Sequence, residues 1–287
     1  MLQVARLAPS LLHEAATNVV AFLHDQLNED GGAKDRAGKS DLYYTAFLLD
    51  ALIAMRAELP SERVQTYLRG FGDGDDLDLV HRACLVRCWT ALGQGWPSET
   101  FLARALENVE AHRSVDGGYA SEIGAQNGTL YSAFLALGAY QDLGRTLPDP
   151  EPLVRCVEAL RSKDGGYADI PGLTLGTTPT TAAAAALLTQ LGQRVPDGVG
   201  EFLLAQAHPK GGFLALPGAP IPDLLSTATA LHALATLEVS FEPVRERTLD
   251  FIDTLWTGRG FCGHWDDDEV DCEYAFYALL ALGQLSL

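Results

Sequence analysis

Apolar residues along this chain fall into two patterns that alternate and repeat. One is amphipathic, as in Val19-Val20-Ala21-Phe22-Leu23 and Val199-Gly200-Glu201-Phe202-Leu203-Leu204. The other is apolar nearly all round, as in Ala182 to Leu188, Thr227 to Leu237 and Ala275 to Leu282. A helix without a polar face has to be buried on several sides. The pattern therefore predicts pairs of helices, one at the surface and one inside. Glycines separate the two members: Asp30-Gly31-Gly32, Asp116-Gly117-Gly118, Asp164-Gly165-Gly166, Gly211-Gly212, and Gly258-Arg259-Gly260 as a degenerate last copy. Residues free to take positive φ end a helix. Tyr119, Tyr167, Phe213 and Phe261 follow, and are expected to plug the turn.

The later turns recur every 46 to 48 residues, whereas Gly31 to Gly117 is almost a double step. Val64 to Gly93 supplies the missing copy, with Phe71-Gly72-Asp73-Gly74 as its turn. Six units result, at about 15–55, 62–93, 101–144, 152–192, 198–237 and 243–285, within a single domain spanning 1–287. Pro148, Pro150, Pro152, Pro196, Pro217, Pro220 and Pro222 all fall between helices. The fold class is all-α. Six hairpins of this length close into an α/α toroid, a concentric barrel with the apolar helices inside.

Charge narrows the partners. With 38 acidic against 20 basic residues the formal charge is −18. Nucleic acid and anionic membranes need clustered Lys and Arg, so neither is expected. The five scattered cysteines are no disulfide framework, no apolar run reaches membrane-span length, and residues 1–30 lack a continuous apolar signal segment. A cytoplasmic protein is expected.

Phe202-Leu203-x-x-Gln206 before Gly211-Gly212-Phe213, and Phe22-Leu23-x-x-Gln26 before Asp30-Gly31-Gly32, resemble the repeats of protein prenyltransferase β subunits and squalene/terpene cyclases. The resemblance covers nearly the whole chain, most weakly at residues 60–95. It implies the toroid, an isoprenoid or other apolar small molecule in its cavity and, by analogy with the transferases, a helical partner subunit.

The inner helices were aligned on Thr45, Ala83, Ser132, Thr181, Thr227 and Ala275. The preceding column then reads Tyr44, Arg82, Tyr131, Thr180, Ser226, Tyr274, and three residues on it reads Phe47, Leu85, Phe134, Ala183, Thr229, Tyr277. Residues at i and i+3 share a helical face. Tyr44, Phe47, Tyr131, Phe134, Tyr274 and Tyr277, with Trp265, are therefore candidate substrate-binding residues lining the cavity. The alternative is that these rings only pack inner helices against outer ones. Three residues before the Tyr column stand Asp41, Leu79, Gly128, Thr177, Asp223 and Asp271, at the helix starts. Aspartate there is a good N-cap, which alone accounts for the three acids. His81, Cys84 and Cys88 share a helical face that metal ligands could use, but two cysteines on a helix read more readily as small core residues.

Asp271 is distinguished by Asp266, Asp267, Asp268, Glu269 and Glu273 nearby, with His264 and Trp265 just upstream. Asp271 and Glu273 are the candidate catalytic residues. With His264 they are also the candidate ligands of a divalent metal, zinc or magnesium. In the transferases an Asp, a Cys and a His hold zinc. By resemblance Asp271 matches the Asp, while Glu273 stands for the Cys and Tyr44 for the His, which implies a degenerate zinc site. The cyclase motif Asp-x-Asp-Asp becomes Asp271-Cys272-Glu273-Tyr274, keeping its first carboxylate. Asp75-Asp76-Leu77-Asp78 imitates that motif but reads as a solvated loop. The leading expectation is an isoprenoid-binding or isoprenoid-processing toroid. The alternatives are a non-catalytic binding or interaction toroid and a small class II cyclase that acts by protonation.

Overall fold

A computed structural model describes residues 1–93 and 99–287. Two short helices, α1 (Leu2–Ala5) and α2 (Pro9–Leu12), precede the repeats. The pairs follow: α3 (Ala15–Asp25) and α4 (Leu42–Ala54), α5 (Ser61–Arg69) and α6 (Leu79–Leu92), α7 (Glu99–Glu110) and α8 (Leu130–Asp142). Then come α9 (Glu151–Ala159) and α10 (Thr178–Gln190), α11 (Val199–Ala205) and α12 (Leu224–Thr236), α13 (Arg245–Thr254) and α14 (Cys272–Leu285). The even-numbered helices from α4 to α14 form an inner ring, each packed on the next, with α14 packed on α4 to close it. Each odd-numbered helix from α3 to α13 lies against its own inner partner. This is the expected α/α toroid. The apolar pattern explains the layers: inner helices meet protein on every side but the lumen, whereas outer helices bury one stripe.

The first, third, fourth and fifth turns are tied to the inner helices they feed or to the residues that lead into them. Asp116 Oδ1 accepts hydrogen bonds from the Gly118 and Gly128 amides at 3.1 Å, and Asp164 accepts from Gly166 and Gly176 at 3.1 and 2.9 Å. Thr45, Thr181 and Thr227 accept from the turn amides of Ala33, Tyr167 and Phe213, each at 2.9 Å. The turn aromatics Tyr119, Tyr167, Phe213 and Phe261 are buried, as expected. Gly211 shows why glycine is needed. Its φ is +99°, and a Cβ there would stand 1.8 Å from the Arg247 carbonyl of the next outer helix. Two two-stranded antiparallel sheets, β1 (Ala33–Lys34) with β2 (Ser40–Asp41) and β3 (Phe213–Leu214) with β4 (Pro222–Asp223), brace the first and fifth loops.

The observed caps of the inner helices are Asp41, Asp78, Thr129, Thr177, Asp223 and Asp271. This corrects the expected column at two places. Leu79 and Gly128 lie one residue off, and Asp78, read as part of a solvated loop, accepts from the His81 amide at 2.9 Å. The rest of that loop is at the surface, where Asp75 pairs with Arg104.

One cap contact joins neighbouring repeats and responds to pH. The His81 ring lies 3.3 Å from Asp41 and 2.8 Å from Asp78. The bond to Asp41, aided by Asp78, outweighs burial and lifts His81 to about 9. An imidazole raised above its unfolded value near 6.5 contributes stability that is complete below that pH and lost as pH rises through about 9. Thermal melts should therefore fall between pH 7 and 9.5, and His81→Gln should remove that part of the slope.

Candidate functional site in the lumen

Counting from the caps, residues at the second, fifth, sixth and ninth positions of the inner helices make up most of the inward face, with Val80, Ala228, Glu273 and Leu280 as exceptions. Together they line a cavity of about 180 Å³, with empty space of about 1130 Å³ once its open mouth is included. Near the helix starts stand Tyr43, Tyr131, Pro179 and Leu225. Tyr131 is 44% exposed, so the lumen reaches solvent at this end. The middle carries Phe47, Phe134, Phe276 and Tyr277 among small residues such as Ala83, Ala182 and Ala183. The rings form an edge-packed cluster: Phe47 lies 4.9 Å from Tyr43, 5.7 Å from Phe276 and 5.5 Å from Tyr277, centroid to centroid. Such tilted contacts hold the wall rigid, which prepares it for an apolar ligand without further ordering.

Four of the expected cavity residues are in place: Phe47, Tyr131, Phe134 and Tyr277 line the lumen. Tyr44 and Tyr274 are third from their caps and lie outside the lining. Tyr274 packs under the Arg36 guanidinium at 5.2 Å and fills the space beside Gly263. Trp265 is also outside it. Its Nε1–H donates to Thr254 Oγ1 at 3.0 Å, and its ring meets Phe251 and His208 edge-on.

The acidic helix start is organised by a cation from the other end of the chain. Arg36, in the first loop, donates from Nε to Asp271 Oδ2 and from Nη2 to Asp267 Oδ2, both at 3.0 Å, with Glu269 at 3.8 Å. Asp271 Oδ1 accepts from the Tyr274 amide at 2.9 Å. Burial pushes the Asp271 carboxyl up while the Tyr274 amide and Arg36 pull it down. Glu273 stands two residues past its cap, the register of Tyr43 and Tyr131, and its Oε1 accepts from the Tyr43 hydroxyl at 2.7 Å. Burial raises its carboxyl against that bond. His264 turns away, accepting from the Asp266 amide through Nδ1 at 3.2 Å.

These donors do not fit a zinc site. Both Asp271 oxygens are taken, Glu273 is held by Tyr43, and Cys272 is buried with its thiol pushed far up by desolvation. A thiolate ligand needs the opposite shift. Among the described residues no three His, Cys, Asp or Glu side chains gather to hold a metal. Cys84 and Cys88 are buried, as expected, and Cys84 also lines the lumen with a thiol raised to about 12 by burial.

The far end of the lumen was not anticipated. Asp50, Arg87, Asp142 and His232 line it, from α4, α6, α8 and α12. Asp50 is 3% exposed and ion-paired with Arg87. Three had a signal in the sequence, since each is a lone polar residue inside an apolar run: Leu49-Asp50-Ala51, Val86-Arg87-Cys88 and Leu231-His232-Ala233. Buried charge in such a run needs a partner or a function.

Residues 10–86 and 181–286 match the family described as the prenyltransferase alpha-alpha toroid domain. These segments make up more than half of the chain, and the protein belongs to that family. Among solved structures, protein geranylgeranyltransferase-I of Candida albicans, complexed with GGPP, aligns with a TM-score of 0.73 at 14% identity, over 92% of this chain and 89% of that one. A variant of the type II terpene cyclase MstE from Scytonema, in complex with geranylgeranyl dihydroxybenzoate, gives 0.68 at 14% identity over 97% of both chains. The GH76A alpha-1,6-mannanase from Salegentibacter sp. gives 0.64 at 15% identity over 94% and 98%. No curated protein matches. At these identities the likeness is one of fold. It spans a transferase, a cyclase and a mannanase, so function has to be argued from the site. No helix among the described residues is long and apolar enough to cross a membrane.

Proposed function

We propose that the chain binds an isoprenoid in its lumen, and that any transformation takes place against the aromatic wall rather than at a zinc–thiolate centre. The observation that carries this reading is the convergence of Phe47, Tyr131, Phe134, Phe276 and Tyr277 on one largely apolar cavity in a toroid of this family. Apolar cavities of about 150 Å³ already take benzene. The enclosed space of about 180 Å³ therefore suits a ligand core of roughly ten carbons or fewer, with longer chains extending into the mouth. Ring faces at this spacing attract positive charge, which suits an isoprenoid that ionises.

Arg36 favours a binding role at the acidic helix start. It neutralises Asp271 and Asp267, so neither is a free acid or metal ligand. Glu273, whose carboxyl burial raises and which is bonded to the lumen residue Tyr43, is the better placed proton donor there. A helical partner subunit, if one assembles, has exposed Val115, Ile123, Ile170, Leu173 and Leu175 to meet, on the loops entering α8 and α10. Native mass spectrometry with C10 isoprenoids, alongside metal analysis, tests the reading. A one-to-one adduct without bound zinc is expected. Stoichiometric zinc, or no adduct with any C10 isoprenoid, would overturn it.

A further inference from the structure

The lumen changes character along its axis. The wall is aromatic and aliphatic until the last turns of the inner helices, where Asp50, Arg87, Asp142 and His232 take over. A cavity serving only a hydrocarbon chain gains nothing from such groups, because taking each out of water costs free energy. Asp50 and Arg87 are ion-paired with one another. The other two are left facing the cavity. Among the described residues no hydrogen bond or ion pair within contact distance reaches the Asp142 carboxylate, and Arg87 acts on it only through space. His232 is bonded through Nδ1 to the Gln284 amide nitrogen at 2.8 Å. With that nitrogen accepting, the neutral ring carries its proton on Nε2, a donor left for the lumen. Burial holds the ring neutral, at about 4, with the Met1 amino group adding to the effect.

Resting on the reading of the lumen as an isoprenoid site, we propose that its lower end is a polar subsite for the hydroxyl head of an apolar alcohol of about ten carbons, which enters head first and bonds to Asp142 and His232. A hydroxyl both donates and accepts, so it matches a carboxylate and an imidazole N–H at once. Being neutral, it needs no new counter-charge. A diphosphate head is a poor match, since it would meet Asp50 and Asp142, with an Arg87 that is already paired and a Met1 amino group whose charge burial and Arg87 disfavour. An ammonium head would leave the His232 donor without an acceptor. Burial, against the pull of Arg87, lifts the Asp142 carboxyl to about 6, so it serves as acceptor at neutral pH and as donor in mild acid.

Calorimetric titration of the full chain with geraniol and with myrcene, a C10 hydrocarbon lacking the hydroxyl, tests the subsite. Geraniol should bind about tenfold more tightly, the value of one or two net hydrogen bonds. Asp142→Leu should abolish that preference, bringing geraniol affinity down to that of myrcene or below it, while Asp142→Asn should retain most of it. His232→Phe should reduce the preference as well, and carries the comparison if Asp142→Leu does not fold. Equal affinity for the two probes, or a preference that survives both Asp142→Leu and His232→Phe, would overturn the subsite while leaving the lumen reading intact. Failure of both probes to bind at all would overturn both.

Discussion

Arg87→Met should destabilise the protein by about 2–3 kcal/mol, below the usual cost of removing one partner from a fully buried ion pair because the Arg87 side chain is 35% exposed. Asp50 is 3% exposed and Arg87 is its ion-pair partner, so the substitution leaves a buried carboxylate at the far end of the lumen with only the Met1 amino group acting on it through space. The loss should depend on pH in a defined direction. Stranded Asp50 would have a folded pKa well above its unfolded value of about 3.9. The folded state then holds a proton that the unfolded state has released, so stability falls as pH rises between those two values. Urea unfolding at pH 5 should show a smaller penalty than at pH 8. The double variant Asp50→Leu/Arg87→Met should recover most of the loss, since well-packed apolar pairs often match buried ion pairs. A penalty below about 1 kcal/mol for Arg87→Met would mean that water in the lumen solvates Asp50 as well as arginine does.

Arg36→Leu should cost about 2 kcal/mol, less than a fully buried pair because Arg36 is 38% exposed. Its weight comes from position. Repeat proteins are stabilised by contacts between neighbouring units, and this side chain joins the first loop to the acidic loop of the last unit across the closing seam of the ring. Removal leaves Asp271 and Asp267 side by side without a cation, and both side chains are largely buried. Hydrogen exchange should quicken at residues 263–271 and 33–41 before it does elsewhere. A variant with unchanged unfolding midpoint and exchange would show that α14 packing on α4 closes the ring unaided.

The ring was legible because it rests on local rules. Helix period, glycine at positive φ and the recurrence of the turns each point to paired helices, and six pairs close. Register was harder. Aligning Thr45 with Ala83 and Ser132 matched residue types in the second and third units but missed the caps Asp78 and Thr129 by one position. One residue on a helix is 100°, enough to move a ring from lumen to seam. Tyr131 was accordingly grouped with Tyr44 and Tyr274, although it shares its place with Tyr43. Arg36 could not have been linked to Asp271 from sequence, since 235 residues separate them and no local pattern joins the two. The polar end of the lumen was readable in part, as lone charges within apolar helices, but only the folded ring shows that Asp50, Arg87, Asp142 and His232 line the same cavity.

The central claim is that the ligand lies inside the ring. Ala183 is a small residue on the lumen wall, so Ala183→Trp should fill the cavity with little strain on the helices around it. Titrating a C10 isoprenoid into this variant is the most direct measurement. Binding weakened at least about tenfold, in a protein that melts as the parent does, is the predicted result. An unchanged dissociation constant in a folded Ala183→Trp protein would contradict the account, because the ligand would then lie somewhere other than the lumen.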